Sequence, residues 1–122
     1  KVKRIMVSRR KKTVSEPPDK CPLTECLSVI GGAWTPNVIW YLSKRARRFT
    51  ELKSDISGIS AKMLTQRLRR LEMDGVVQRN VMPTSPPTVE YRLTSLGLEL
   101  KPAIEAIAGV GHRIKEIRNK QK

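Results

Sequence analysis

The sequence predicts a mainly α-helical fold with one small β-hairpin, an α+β class, and three observations carry that expectation. Apolar residues make up 39% of the 122 positions and aromatics only 4%, so the core must rest on Leu, Ile and Val. That composition suits packed helices better than an aromatic-rich β-sandwich. Helix-start signals, a cap residue followed by proline or by an apolar period, recur through the first half of the chain. Beyond them lies a stretch of period-2 alternation, in which Val89, Tyr91 and Leu93 alternate with Glu90, Arg92 and Thr94.

The elements follow in order. Residues 1–20 are basic, hold no sustained apolar period and end in Pro17-Pro18, and they read as an arm outside the folded part. Its cluster Arg9, Arg10, Lys11 and Lys12 fits a phosphate contact or a minor-groove arm, and equally a solubilising tail. Proline favours the first helical position, so Cys21 falls at an N-cap and a helix runs from Pro22 to about Ile30, ended by Gly31-Gly32. A second helix starts at Thr35-Pro36, cap then proline, and turns Val38, Ile39 and Leu42 inward. Lys44, Arg45, Arg47 and Arg48 follow as a basic turn. Phe49 leads into a third helix, with Thr50 as its cap and Leu52 and Ile56 one turn apart. Ser57-Gly58-Ile59 is a tight turn, after which Ser60 caps a fourth helix from Ala61 to about Asp74. Ile59 and Leu64 are placed as a hydrophobic staple, and Gly75 is the stop. Val76–Met82 and Thr88–Thr94 read as two strands joined by the stiff connection Pro83-Thr84-Ser85-Pro86-Pro87. From Ser95 one long helix runs toward the C-terminus.

Helix three, a glycine-containing turn and helix four match the spacing of a DNA-binding helix-turn-helix, and the hairpin after it makes a winged helix. At about 100° per residue, Ala61, Leu64, Leu68 and Leu71 share one face of the fourth helix. Lys62, Gln66 and Arg69 take the opposite face, with Met63, Thr65 and Arg70 flanking them and Ser60 at the end. Arg pairs bidentately with guanine and Gln with adenine, while apolar and hydroxyl groups meet a thymine methyl, so these types suit a major groove. An ordinary amphipathic surface helix would also turn Lys and Arg outward; the turn before it and the hairpin after it favour the DNA-reading role. In the wing, Arg79 and Arg92 are candidates for phosphates, or are merely solvated strand residues. The tip residues Thr84, Ser85, Pro86 and Pro87 lose little entropy on resting against the DNA backbone or minor groove.

Charge points the same way. Lys and Arg number 25 against 11 Asp and Glu, a formal +14, which suits a polyanion: nucleic acid first, an anionic membrane second. No apolar run approaches the roughly 18 residues needed to cross a bilayer, and no apolar signal region follows the charged N-terminal stretch. A cytoplasmic protein with double-stranded DNA as partner, and no membrane, is expected. Cys21 and Cys26 stand five apart and the single histidine, His112, is far off, so no metal site and no cofactor are expected. One histidine, no nucleophile beside a base and no glycine-rich phosphate loop argue against an enzyme.

With the elements placed, the chain resembles the HxlR-type regulators, a winged-helix family akin to the MarR proteins, over about residues 21 to 112. The residues that carry it include Cys21-Pro22, Ile30-Gly31-Gly32-Ala33-Trp34, Arg48-Phe49-Thr50-Glu51-Leu52 and Gly58-Ile59-Ser60-Ala61-Lys62-Met63-Leu64-Thr65. It continues through Leu71-Glu72-Met73-Asp74-Gly75-Val76-Val77, Pro86-Pro87-Thr88-Val89-Glu90-Tyr91 and Leu93-Thr94-Ser95-Leu96-Gly97. The resemblance implies homodimers on inverted-repeat operators, without enzymatic activity, and in some members a cysteine aligned with Cys21 that senses oxidants or electrophiles.

The terminal helix adds its own argument for a dimer. Leu100, Ile104, Ile107, Val110, Ile114 and Ile117 recur at helical spacings, a stripe too long for so small a domain to cover by itself. A second copy would cover it; packing back on its own domain is the other reading. Gly109 and Gly111 each weaken the helix by about 1 kcal/mol, so fraying beyond them is expected. Cys21, at a helix N-terminus beside Lys20, sits where dipole and cation favour a thiolate and is the candidate sensor, or is an unreactive cap. The organisation expected is a basic arm (1–20), a winged helix-turn-helix domain (21–95) and a dimerisation helix (96–122). The expected function is a sequence-specific DNA-binding transcriptional regulator, with a small-molecule or oxidant effector left open. The competing reading is a winged helix for protein contact or for sequence-independent chromatin binding, against which Lys62, Gln66 and Arg69 weigh.

Overall fold

The computed structural model describes residues 21–121. The basic arm, 1–20, and Lys122 lie outside the described residues. The chain divides into two units between Gly31 and Gly32. Among its described residues the first unit is one helix, α1 (Pro22–Ile30), which starts as expected with Cys21 in an extended N-cap conformation and Pro22 behind it.

The second unit runs α2 (Thr35–Leu42), β1 (Arg47–Arg48), α3 (Phe49–Asp55), α4 (Ala61–Met73), β2 (Val77–Met82), β3 (Thr88–Leu93), α5 (Ser95–Glu99) and α6 (Lys101–Lys120). Helices dominate and the strands form one antiparallel sheet in the order β1-β3-β2. Its core is aliphatic throughout. Val38, Ile39 and Leu42 of α2 are buried with Leu52 and Ile56 at α3, Leu64, Leu68 and Leu71 of α4, Val76, Val77 and Leu93 of the sheet region, and Ile104 of α6.

Local chemistry sets most boundaries. The Ser60 hydroxyl accepts the Met63 N–H at 3.0 Å to open α4, and the staple residues Ile59 and Leu64 are both buried. At its other end Gly75 takes φ +77°. The N–H groups of Gly75 and Val76 then reach back to the carbonyls of Glu72 and Leu71, a Schellman closure. That closure holds Val76 in the turn, so β2 begins at Val77. Thr94, expected in the second strand, instead caps α5: its hydroxyl accepts the Gly97 N–H at 3.2 Å and donates to the Gly75 carbonyl at 2.6 Å.

Other expectations are corrected. α2 is capped by Trp34, in a left-handed conformation (φ 72°), and Thr35 is already the first helical residue and buried. α3 begins two residues earlier than Thr50 as cap allows, because the Glu51 carboxylate accepts the Arg48 N–H at 2.8 Å and makes Arg48 the cap. The basic turn ends in a strand: Arg47 and Arg48 pair with Tyr91 and Glu90, a registration that no local signal carries. The terminal helix is two helices broken at Leu100. Pro102 has no N–H for the Leu98 carbonyl and its ring crowds that turn, so α5 ends there and α6 begins at Lys101 with Pro102 in its first turn. Gly109 and Gly111 do not interrupt α6, which is continuous to Lys120.

Candidate nucleic-acid interface

The fourth predicted helix is α4, and its two faces separate as its sequence demands. Leu64, Leu68 and Leu71 are buried, while Lys62, Gln66, Arg69 and Arg70 are exposed and Met63 and Thr65 half-buried. Ala61, placed on the apolar face by its angle, is exposed at the helix start, where the core no longer reaches. Hydrogen bonding divides the candidates further. The Ser60 hydroxyl is taken by the cap, the Thr65 hydroxyl donates to the Ala61 carbonyl at 2.8 Å, and Arg70 pairs with Asp74 at 3.2 Å. Among the described residues Lys62, Gln66 and Arg69 make no side-chain hydrogen bond or ion pair, which leaves three unspent polar groups along one exposed ridge.

The hairpin stands after α4 as a wing. Arg79 and Arg92 are both exposed, but the register sets them apart. Arg79 lies opposite Tyr91 and Arg92 opposite Gln78, so the two arginines leave opposite faces of the ribbon. Arg79 shares the face of buried Val77 and Leu93; Arg92 shares the other with Glu90. At the exposed tip the Thr84 hydroxyl donates to the Pro86 carbonyl at 2.7 Å and lies 3.2 Å from that of Thr88, while Ser85, Pro86 and Pro87 are exposed.

Several cations that the net charge counts are spent within the fold. Arg47 pairs with Asp55 at 2.7 Å and donates through Nε to the Tyr41 carbonyl at 2.9 Å. Arg45 pairs with Glu51 at 3.1 Å, and Lys44 lies 4.0 Å from the centre of the Trp40 ring. The Arg48 N–H first, then the Arg45 guanidinium, hold the Glu51 carboxyl below the usual carboxylate range. Arg67, on α4 itself, donates through Nε to the Ala33 carbonyl at 2.8 Å. Sequence reasoning assigned Arg67 nothing; its partner is 34 residues away and is a backbone oxygen that no residue type advertises.

The apolar stripe of the terminal helix splits. Ile104 is buried within its own chain and Leu100 is half-buried at the break, so neither is among the exposed residues of the stripe. Ile107, Val110, Ile114 and Ile117 remain 41–56% exposed along one side of α6. Ile107 also borders a cavity of about 300 Å³ against Asn37, Trp40 and Tyr41 of α2.

In the first unit, Cys21 is exposed and Cys26 half-buried, and both are free thiols. The first-turn N–H groups of Thr24 and then Leu23, with the Thr24 side chain, favour the thiolate and hold the Cys21 thiol below its ordinary value, although its sulfur makes no cap hydrogen bond. Among the described residues no group of His, Cys, Asp and Glu could hold a metal ion, and no helix is long and apolar enough to cross a membrane.

Comparison with known proteins agrees with this geometry. The family model described as HxlR-like helix-turn-helix matches residues 29–119. The HTH-type transcriptional regulator YdeP of Bacillus subtilis (strain 168) is 38% identical over 96 residues, 79% of this chain and 75% of that protein. Among solved structures, the redox regulator HypR in its oxidised form superposes with a TM-score of 0.73 at 38% identity, covering 76% of this chain and 96% of that one. The reduced form of the transcriptional regulator YodB from B. subtilis gives 0.66 at 36% identity, over 73% and 88% respectively.

Proposed function

The chain belongs to the HxlR-like helix-turn-helix family of transcriptional regulators, and from that premise we propose that it binds an inverted-repeat operator in double-stranded DNA as a homodimer. One observation carries the sequence-specific part. The recognition helix α4 is held from behind by three buried leucines and presents Lys62, Gln66 and Arg69 with no intramolecular partner among the described residues. A ridge of unspent donors and acceptors on a rigid helix is what reading base edges requires.

The exposed face of α6 supports the dimer. Four large aliphatic residues at helical spacing are costly to leave in water, and a two-fold axis through them gives two copies of α4. One helical turn of DNA, about 34–36 Å, then separates the two half-sites. Cys21 supplies the proposed control: an exposed thiol with favoured thiolate at a helix N-terminus, in a chain similar to a redox regulator solved in oxidised and reduced forms. Oxidants or electrophiles are accordingly the proposed effector class. The protein is proposed to act by binding and not by catalysis.

The test is a mobility shift on DNA from upstream of its own gene against scrambled DNA of equal length, at physiological salt, with mass measured on the complex. The expected result is a preference of at least a hundredfold and two chains per site. Equal affinity for both DNAs, falling equally with salt, would leave only phosphate binding and overturn the proposal in favour of sequence-independent chromatin-type binding. For control, oxidant-dependent release that persists in Cys21→Ser removes the sensor.

A further inference from the structure

We infer that Arg67 is a positioning residue: it fastens the DNA-reading helix to the loop that opens α2, and so sets how α4 is presented. The inference rests on the sequence-reading role of α4. At about 100° per residue Arg67 stands about 100° from Gln66 and about 160° from Arg69, on the flank that leaves the proposed DNA face. There its Nε donates to the Ala33 carbonyl at 2.8 Å.

The loop it grips is fixed independently. Gly32 has φ 94° and Trp34 φ 72°, and a bulky residue holds that left-handed conformation only where its surroundings impose it. The Trp34 ring packs against the turn of the helix-turn-helix, 3.6 Å from where a Cβ on Gly58 would stand. The Trp34 carbonyl accepts the Val38 N–H at 3.0 Å, and Thr35 is buried beside it. The loop therefore touches the turn through Trp34 and the recognition helix through Arg67. The burial of Leu64, Leu68 and Leu71 holds α4 on the core, and the Arg67 bond adds a directional polar tie between its flank and that loop. Its planar guanidinium donates in a set direction, which an ammonium does not reproduce.

The experiment measures dissociation constants of wild type, Arg67→Met and Arg67→Lys for the operator and for scrambled DNA across a salt series. Arg67→Met keeps the apolar stem and removes the donor. Its operator affinity is expected to fall about tenfold, equivalent to ~1.4 kcal/mol. Its affinity for scrambled DNA should change less than twofold, and its slope against salt should match wild type. Arg67→Lys should fall between the two. A slope lower by about 1 with equal losses on both DNAs makes Arg67 a phosphate contact and overturns the inference; so does an unchanged operator affinity. If Arg67→Met does not stay folded at the assay temperature, Arg67→Lys is judged by the same criteria. Wild type that fails to prefer the operator overturns the proposed function and this inference with it. Wild type that discriminates, beside a variant that does so equally well, overturns this inference alone.

Discussion

Replacing Ile114 by Glu tests the outer face of α6 at its middle. Ile107, Val110, Ile114 and Ile117 fall within about 80° of one another on the helix. Ile114 is 41% exposed and lies outside the core of the single chain. Complete burial of an isoleucine is worth about 1.5–3 kcal/mol, so covering the exposed part of Ile114 contributes about 1 kcal/mol per copy. A carboxylate put in its place must be desolvated or protonated in the dimer, at a further cost of about 2 kcal/mol per copy. Two-fold symmetry doubles both effects, and about 6 kcal/mol corresponds to roughly four decades in the dimer dissociation constant. In the isolated chain the same glutamate stays in water, and a surface change of this kind shifts folding stability by no more than about 0.5 kcal/mol. Sedimentation equilibrium over nanomolar to high-micromolar concentrations reads the constant directly, with circular dichroism as the control for helix content. The expected result is a folded monomer that binds a half-site weakly and the full operator no better. A variant that remains dimeric with an unchanged constant would show that this face is not the interface.

Three other outcomes follow from particular contacts. Gly97→Ala gains up to about 1 kcal/mol of helix propensity, but its Cβ would collide with the Val76 carbonyl and stand 2.9 Å from the Leu93 side chain. Overpacking at about 1–3 kcal/mol prevails, and a thermal midpoint lowered by roughly 5–15 °C is expected by calorimetry; an unchanged or higher midpoint refutes it. Because Arg79 and Arg92 leave opposite faces of the wing, only one of Arg79→Ala and Arg92→Ala should lower the slope of affinity against salt, by about 1. Both or neither doing so refutes a one-faced wing contact. The Cys21 thiol is lowered by the N–H groups of the first helical turn, so in Cys26→Ser its iodoacetamide rate against pH should have a midpoint below that of the unfolded chain. Folding then favours the thiolate, and that stabilisation is present above the unfolded thiol value and lost as pH falls through the folded one. A midpoint equal to or above that of the denatured chain would contradict this.

What was legible in the sequence was whatever short-range chemistry decides. Ser60 before an apolar period and Gly75 after it act through hydrogen bonds spanning no more than five residues, Pro22 behind Cys21 acts through its fixed φ where no N–H donor is needed, and α1 and α4 begin where those signals put them. The leucine face of α4 was readable because a buried stripe repeats every three or four positions. What failed depends on distant partners. β1 exists because β3 pairs with it, and Trp34 displaces Thr35 as cap through a left-handed backbone conformation. The break at Leu100 was readable in principle, since Pro102 carries it, but the unbroken apolar period across residues 100–104 masked it.

The same distinction governs the cations, and it decides what the charge of +14 means. Arg47, Arg67 and Arg69 are one residue type in one basic chain, yet Arg47 pairs with Asp55 and Arg67 with a carbonyl, while Arg69 has no polar partner among the described residues. A guanidinium already hydrogen-bonded within the fold has some of its five N–H donors engaged and its direction set by that partner, whereas an unpartnered one exchanges only water. Affinity for polyanions therefore follows total charge, but discrimination between sequences follows the unspent groups that a rigid helix holds in place. On α4 the groups without a polar partner among the described residues, and so the proposed reading set, are Lys62, Gln66 and Arg69. Charge-reversing changes elsewhere on the surface should alter how tightly every DNA is bound and leave the preferred sequence where it was.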